Sequence, residues 1–366
     1  MTHSSKKNRI IFIDLMRAFA VLQMVQGHTT DVLLAGSYRS TDFPVYAAWL
    51  FMRGMTAPIF MFSAGTVFTY LFRLVKEPFA QNPRTKKGFK RVLLLIVLGY
   101  ILRYPTATIF DFSLVTPDQW KIFETVDVLQ CIGIGIFFLM IFAYLAEKFN
   151  VSDYLFFSIA TLIFFALAPV FETINWTNFF PVPLAGYFYK ATGSQFPLFP
   201  WVGYVIAGGV FGSYLAKNPM VFRTSKFSYS VFIVGGILFA GALIVNFVLH
   251  NFYSAGFETW PDSPLLTILR LGFVLMLNAV VSFISLKVET IPRFLILVGR
   301  NTLLIYIVHL MILYGSAWNP GLILLFNQSL GVWKTLGMAL AMLVLMSLMV
   351  IGIHKFKIKN KQLVTQ

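Results

Sequence analysis

Apolar stretches recur along this chain at intervals that suit membrane-spanning helices. Runs near 10–34, 49–72, 91–110, 126–146, 154–172, 199–216, 229–250, 265–286, 294–316 and 332–353 each reach the roughly 20 residues that a helix needs to cross a bilayer. The pattern predicts ten helices. The expected fold is all-α, a polytopic integral membrane protein of about ten transmembrane helices. A single transmembrane domain is expected over residues 1–366, with short tails at 1–9 and 354–366.

Composition agrees with this pattern. The chain is 58% hydrophobic and 12% charged, with a mean hydropathy of +0.77, outside the range of soluble domains. Its charges alternate by loop. Lys6, Lys7 and Arg9, the segment "RLVKEPFAQNPRTKKGFKR" (73–91), Lys217, Arg223 and Lys226, Lys287 and Arg293, and the tail "HKFKIKNK" alternate with loops that hold Asp42, Asp111, Asp118, Glu124, Glu258 and Asp262. Because cytoplasmic loops collect Lys and Arg, this alternation predicts that both termini are cytoplasmic and that the protein is a multi-pass component of the plasma (inner) membrane. The same bias accounts for most of the net charge of +15, so the lipid bilayer is the implied partner and a nucleic acid is not. A lone Cys131 excludes an internal disulfide framework, and no Cys/His spacing resembles a metal site. The first apolar run is interrupted by Asp14, Arg17 and His28, which predicts an uncleaved span rather than a signal peptide.

Those interruptions are the first candidate chemistry. In "DLMRAFAVLQMVQGHTTD" (14–31), Arg17 and His28 fall within about 20° of each other around a helix and roughly 16 Å apart along it. Asp14 and Asp31 lie on nearly the same face. Such a polar stripe is costly against lipid and belongs on the bundle interior or a water-filled cavity. "LVGRNTLLIYIVHLMILYG" (297–315) repeats the theme, with Thr302, Tyr306 and His309 spaced by four and three and so on one stripe. Of the five histidines, His3, His250 and His354 lie at a terminus or near helix ends, leaving His28 and His309 as the two intramembrane ones.

Arg17, then His28 eleven positions on, preceded by Asp14, resembles the signature of membrane-bound sugar O-acetylases of the acyltransferase-three type, whose active histidine stands at the place of His28. "GRNTLLIYIVH" (299–309) is similar to a late element of the same group. "GMTAPIFMFSAG" (54–65), "DVLQCIGIG" (127–135) and "FPLFPWVGYVIAGGVFG" (196–212) resemble the sister branch, the heparan-α-glucosaminide N-acetyltransferase-like proteins. Residues 35–48 contain no histidine, so within this resemblance the catalytic role falls to His28.

The resemblance implies a membrane acyltransferase that moves an acetyl group from acetyl-CoA to a hydroxyl or amine of a sugar, a cell-envelope glycan or a small molecule. An imidazole can serve that reaction as base or as nucleophile. His28 is the candidate, with Asp31 expected to orient it and Tyr306 and His309 placed to bind the acceptor or the developing oxyanion. Arg17 and the cations Lys86, Lys87, Lys90 and Arg91 are expected at the donor's phosphates. Arg53 and Ser63 in the second span, Arg103 deep in the third and Arg270 in the eighth are expected to line the substrate cavity. No metal is expected, and a homodimer is left open. A reading from another class takes the Asp/Arg/His stripe as the proton or substrate pathway of a secondary transporter or flippase, although no inverted repeats are evident.

Overall fold

The structure, a computed structural model, describes residues 10–253, 263–288 and 290–363, residue 253 and the last three by backbone alone. His3, Lys6, Lys7 and Arg9 of the expected basic tail, and Glu258, Trp260 and Asp262 of the expected acidic loop, lie outside the described residues.

The described chain is helical: α1 (Ile11–Leu33), α2 (Pro44–Arg73), α3 (Pro83–Leu102), α4 (Pro117–Glu124), α5 (Val128–Lys148), α6 (Asp153–Ala166), α7 (Ala168–Thr173), α8 (Val182–Ala185), α9 (Leu198–Lys217), α10 (Ser225–Tyr253), α11 (Pro264–Lys287), α12 (Arg293–Arg300), α13 (Thr302–Tyr314), α14 (Ile323–Phe326) and α15 (Val332–Leu363). Helices stand at each of the ten predicted runs. By length and hydropathy, seven of the described helices can cross a membrane, and eight if α12 and α13 form one broken span. α1 and α3 have the length, at 23 and 20 residues, but Asp14, Arg17 and Asp31 in α1 and the basic first turns of α3 lower their hydropathy. The outer faces of α10 and α15 expose Ile233, Ile237, Phe247, Leu340 and Leu348, a lipid-compatible surface on a multi-pass membrane protein.

Two predicted spans need correction. The third was expected to reach residue 110, but α3 ends at Leu102 and Arg103 is its C-cap, because the following Pro105 cannot continue a helix. Arg103 is therefore at a helix end and not deep in a span. The ninth is not one helix: α12 and α13 meet at a bend of 77°.

The helices form two compact units, residues 1–56 with 287–366, and residues 57–286. In the first, α1 packs against α12, α13 and α15. In the second, α9 packs against α5 and α6, and α3 against α5. The glycines of the motifs at 54–65 and 196–212 explain part of the second unit. A side chain at Gly65 would run into the backbone of Val205, at Gly208 into that of Phe62, and at Gly212 into that of Thr66. α2 and α9 thus cross at backbone contact through small residues, as membrane helices do where apolar burial cannot drive association. α5 opens with a capping box, Asp127 accepting from its first turn and Gln130 reaching back to the Asp127 amide, which satisfies donors that lipid could not.

One end of this unit is tied by a charge cluster. The buried Asp153 at the start of α6 accepts from Arg73 Nη2 at 2.8 Å and Ser213 Oγ at 3.0 Å, with Lys217 Nζ at 3.4 Å. Removing the carboxylate leaves Arg73, itself mostly buried, without its counter-ion. Asp153→Ala should therefore cost about 3 kcal/mol and lower the midpoint of thermal unfolding in detergent, with Asp153→Asn milder because it keeps hydrogen-bonding capacity. An unchanged midpoint in both variants would contradict this account of the clamp.

Candidate active site

The polar stripe of α1 forms as its spacing predicts, and the first unit brings the second stripe to it. α12 crosses α1 at Gly299, where an added Cβ would strike the backbone carbonyl of Asp14. Only a glycine allows that approach. Asn301 then caps α12, its Nδ2 donating to the Leu297 carbonyl at 2.8 Å, and the chain turns into α13. The first residue of α13, Thr302, receives Arg17 Nη2 on its hydroxyl at 2.8 Å. The bend thus seats "GRNT" against the N-terminal half of the α1 stripe: Gly for contact, Asn for the cap, Thr for the guanidinium. Gly299→Ala should force α1 and α12 apart at a cost of about 1–3 kcal/mol, read as a lower unfolding midpoint. Wild-type stability would show that the crossing has room to spare.

Two turns along α13, Tyr306 and His309 are buried, 2% and 0% exposed. The His309 Nδ1 lies 2.8 Å from the Ile305 carbonyl. A carbonyl only accepts, so Nδ1 carries the hydrogen and Nε2 of the neutral ring keeps its lone pair. That Nε2 is buried and, among the described residues, has no hydrogen-bond partner. The His28 ring stands beside it, centroids 5.4 Å apart at 65°, and Tyr306 is 5.8 Å from His309 on an edge. A buried imidazole acceptor beside a second, half-buried imidazole is an unusual arrangement to retain for packing alone, since each orphaned polar atom costs free energy.

His28 was expected to be oriented by Asp31, but its Nδ1 lies 3.0 Å from the Tyr314 hydroxyl. Asp31 instead accepts from Arg53 Nε at 2.6 Å and forms an ion pair with its Nη2. Its position one turn from His28 on the same helix leaves the carboxylate pointing to α2, while Tyr314 approaches from across the unit. Sequence reasoning missed Tyr314 because it sits five residues after His309, about 140° off that stripe on a helical wheel. Its only signal is its place as the last residue of α13, just before Gly315 at φ 83°. Arg39 completes the C-terminal end of α1, donating to the carbonyls of Asp31 at 2.7 Å and Leu34 at 3.0 Å, a cation at a helix C-terminus.

The remaining predicted residues belong to the second unit and form separate groups. Arg103 bridges the end of α3 to the start of α5, with Nη1 2.5 Å from Thr125 Oγ1 and Nη2 2.8 Å from Asp127. That is an end-to-end clamp between neighbouring helices. Ser63 is buried and its hydroxyl has no hydrogen-bond partner among the described residues. Arg270 lies over the Trp201 ring at 5.7 Å. Near it, Lys190 is held below its usual pKa by burial, which Glu172 opposes and Arg270 reinforces. Lys86, Lys87 and Lys90 are exposed on the first turns of α3 and Arg91 is half-buried, so the chemistry for binding phosphates is available there.

The profile of the family described as heparan-alpha-glucosaminide N-acetyltransferase, catalytic, matches residues 9–252, a stretch that holds Arg17, His28 and Asp31 and stops before His309. No curated protein is similar enough to the chain to count as a match. With well over half its length matched, the chain belongs to the heparan-alpha-glucosaminide N-acetyltransferase catalytic family.

Proposed function

We propose that this protein transfers an acetyl group from acetyl-CoA to a hydroxyl or amine of a sugar or cell-envelope glycan, with the His28–His309 cluster as reaction centre. The observation that carries the reading is the His309 ring: Nδ1 committed to a backbone carbonyl, Nε2 buried without a partner, and a second imidazole beside it. In the transfer, the thioester C–S bond breaks and a C–O or C–N bond forms. The acceptor's proton passes to an imidazole nitrogen and from there to the departing thiolate. His28, the less buried ring, is assigned the proton transfer, with Tyr314 at its Nδ1 fixing the ring. His309 Nε2 is assigned a hydrogen bond accepted from a hydroxyl or N–H of the acceptor other than the one His28 deprotonates, and Tyr306 the support of that ring.

Arg17 is assigned the donor's phosphates. It lies on the same face of α1 as His28, roughly 16 Å along the axis, comparable to the reach of an extended pantetheine arm. A guanidinium offers five donors in a fork that suits phosphate, and one of its nitrogens is already oriented by Thr302. Arg17→Ala should raise the Kd for acetyl-CoA by about tenfold or more, and Arg17→Lys should recover only part of this, since a point charge replaces the fork. Wild-type donor affinity in a folded Arg17→Ala protein would remove Arg17 from the donor site.

The test of the reaction class uses purified protein, acetyl-labelled acetyl-CoA and a mixture of glycans. Label transfer with release of free thiol supports the enzyme. Absence of both, together with ion-driven solute uptake in vesicles, supports a carrier.

A further inference from the structure

The second unit holds an open cleft of about 690 Å³, at the end of the bundle opposite the Arg73–Asp153 clamp. We propose that this cleft binds a saccharide unit and is a subsite for a glycan acceptor on the second unit. Its role as an acceptor subsite rests on the acetyl-transfer reading above; saccharide binding by the cleft does not.

One wall is α4. Trp120 is held there by ring contacts with Phe112 at 5.3 Å and Phe123 at 5.8 Å. The helix is fixed by its Thr116–Gln119 capping box and by Gln119 Nε2 donating to the Pro105 carbonyl at 3.2 Å. Lys121 and Glu124 stand on the same short helix and line the same cleft. The facing wall is built on Asn175, whose Oδ1 accepts from the Tyr189 hydroxyl at 2.9 Å, the Thr177 hydroxyl at 2.6 Å and the Thr177 amide at 3.3 Å. Three donors on one oxygen set the amide plane and leave Nδ2, on an exposed residue, to serve as a positioned donor.

The lining therefore combines aromatic surface, a fixed amide, the hydroxyls of Thr177, Tyr189 and Thr192, one carboxylate and one ammonium. Sugars present C–H faces that lie on aromatic rings and edges of hydroxyls that both donate and accept, and a preformed concave site with a few placed polar groups is what such a ligand needs. A phosphate-bearing ligand would need several cations, and Lys121 is the only one lining the cleft among the described residues. An acyl chain would leave Asn175, Lys121 and Glu124 unsatisfied.

The test is saturation-transfer NMR and calorimetry on the detergent-purified full chain, without donor, using chitobiose, maltose and digalacturonate as probes. At least one should bind the wild type with a Kd in the millimolar range. Trp120→Ala and Asn175→Ala should each raise that Kd about tenfold, and Lys121→Ala should change the ranking of the three probes. Lys121 is exposed, so its variant keeps the test informative if Trp120→Ala does not fold. Absence of binding for all three probes, or wild-type Kd values in folded Asn175→Ala and Lys121→Ala proteins, overturns the cleft. Binding with the expected losses but no acetyl transfer upholds the cleft and overturns the enzyme reading. Acetyl transfer to glycans with Kd values indifferent to the cleft variants does the reverse.

Discussion

Replacing His28 by alanine should lower acetyl transfer from acetyl-CoA to a sugar acceptor by about three orders of magnitude, the scale of positioned acid–base catalysis, while the protein stays folded. The ring is half-buried and stands at the edges of His309 and Tyr314, so its loss opens space beside the cluster without emptying a packed core position. The conservative companion is Tyr314→Phe. It keeps the ring contact but removes the hydroxyl at His28 Nδ1, which frees the imidazole to rotate and alters its basicity. The expected loss there is smaller, about tenfold, with a displaced pH profile. A purely structural role for Tyr314 would leave the profile where it is. Initial rates beside unfolding midpoints measure all of this, and near-wild-type rates in His28→Ala would exclude the ring from the chemistry.

The second large effect belongs to His309, where two substitutions separate the two nitrogens. Asparagine places an amide N–H near the Nδ1 position and can keep the bond to the Ile305 carbonyl, but it puts nothing at Nε2. Glutamine reaches the Nε2 position with an oxygen that accepts a hydrogen bond and takes no proton. If Nε2 holds the acceptor by accepting its hydrogen, His309→Asn should lose about 100-fold in kcat/KM and His309→Gln should recover part of it. If instead Nε2 is the base, both lose alike. Recovery in neither variant, with His28→Ala nearly as active as the wild type, would transfer the base role from His28 to His309. A variant pair that folds and reacts as the wild type would show that the bare nitrogen is a packing feature.

What could be read from the sequence depended on how local the cause was. α1 at Ile11–Leu33 and α9 at Leu198–Lys217 lie within two residues of the predicted runs, because apolar length alone sets them. The stripe from Asp14 to Asp31 and the stripe of Thr302, Tyr306 and His309 were legible from the 3.6-residue period. What two stripes do to each other was not. Nothing local says that Arg53, twenty-two residues away, takes Asp31, or that Tyr314 reaches His28. The bend at Asn301 was hidden because "GRN" interrupts an otherwise apolar run without a proline, and its reason lies in the Asp14 carbonyl against which Gly299 packs. α4 went unseen for another reason: it is an eight-residue amphipathic helix inside a loop judged by its charges.

The most direct measurement of the central claim is a structure of the full chain with a non-transferable acetyl-CoA analogue in which the thioester sulfur is replaced by a methylene. The account predicts the acetyl carbonyl carbon within about 3.5 Å of where an acceptor atom hydrogen-bonded to His28 or His309 would sit, with the phosphates toward Arg17. An acetyl group held away from both imidazoles would contradict it.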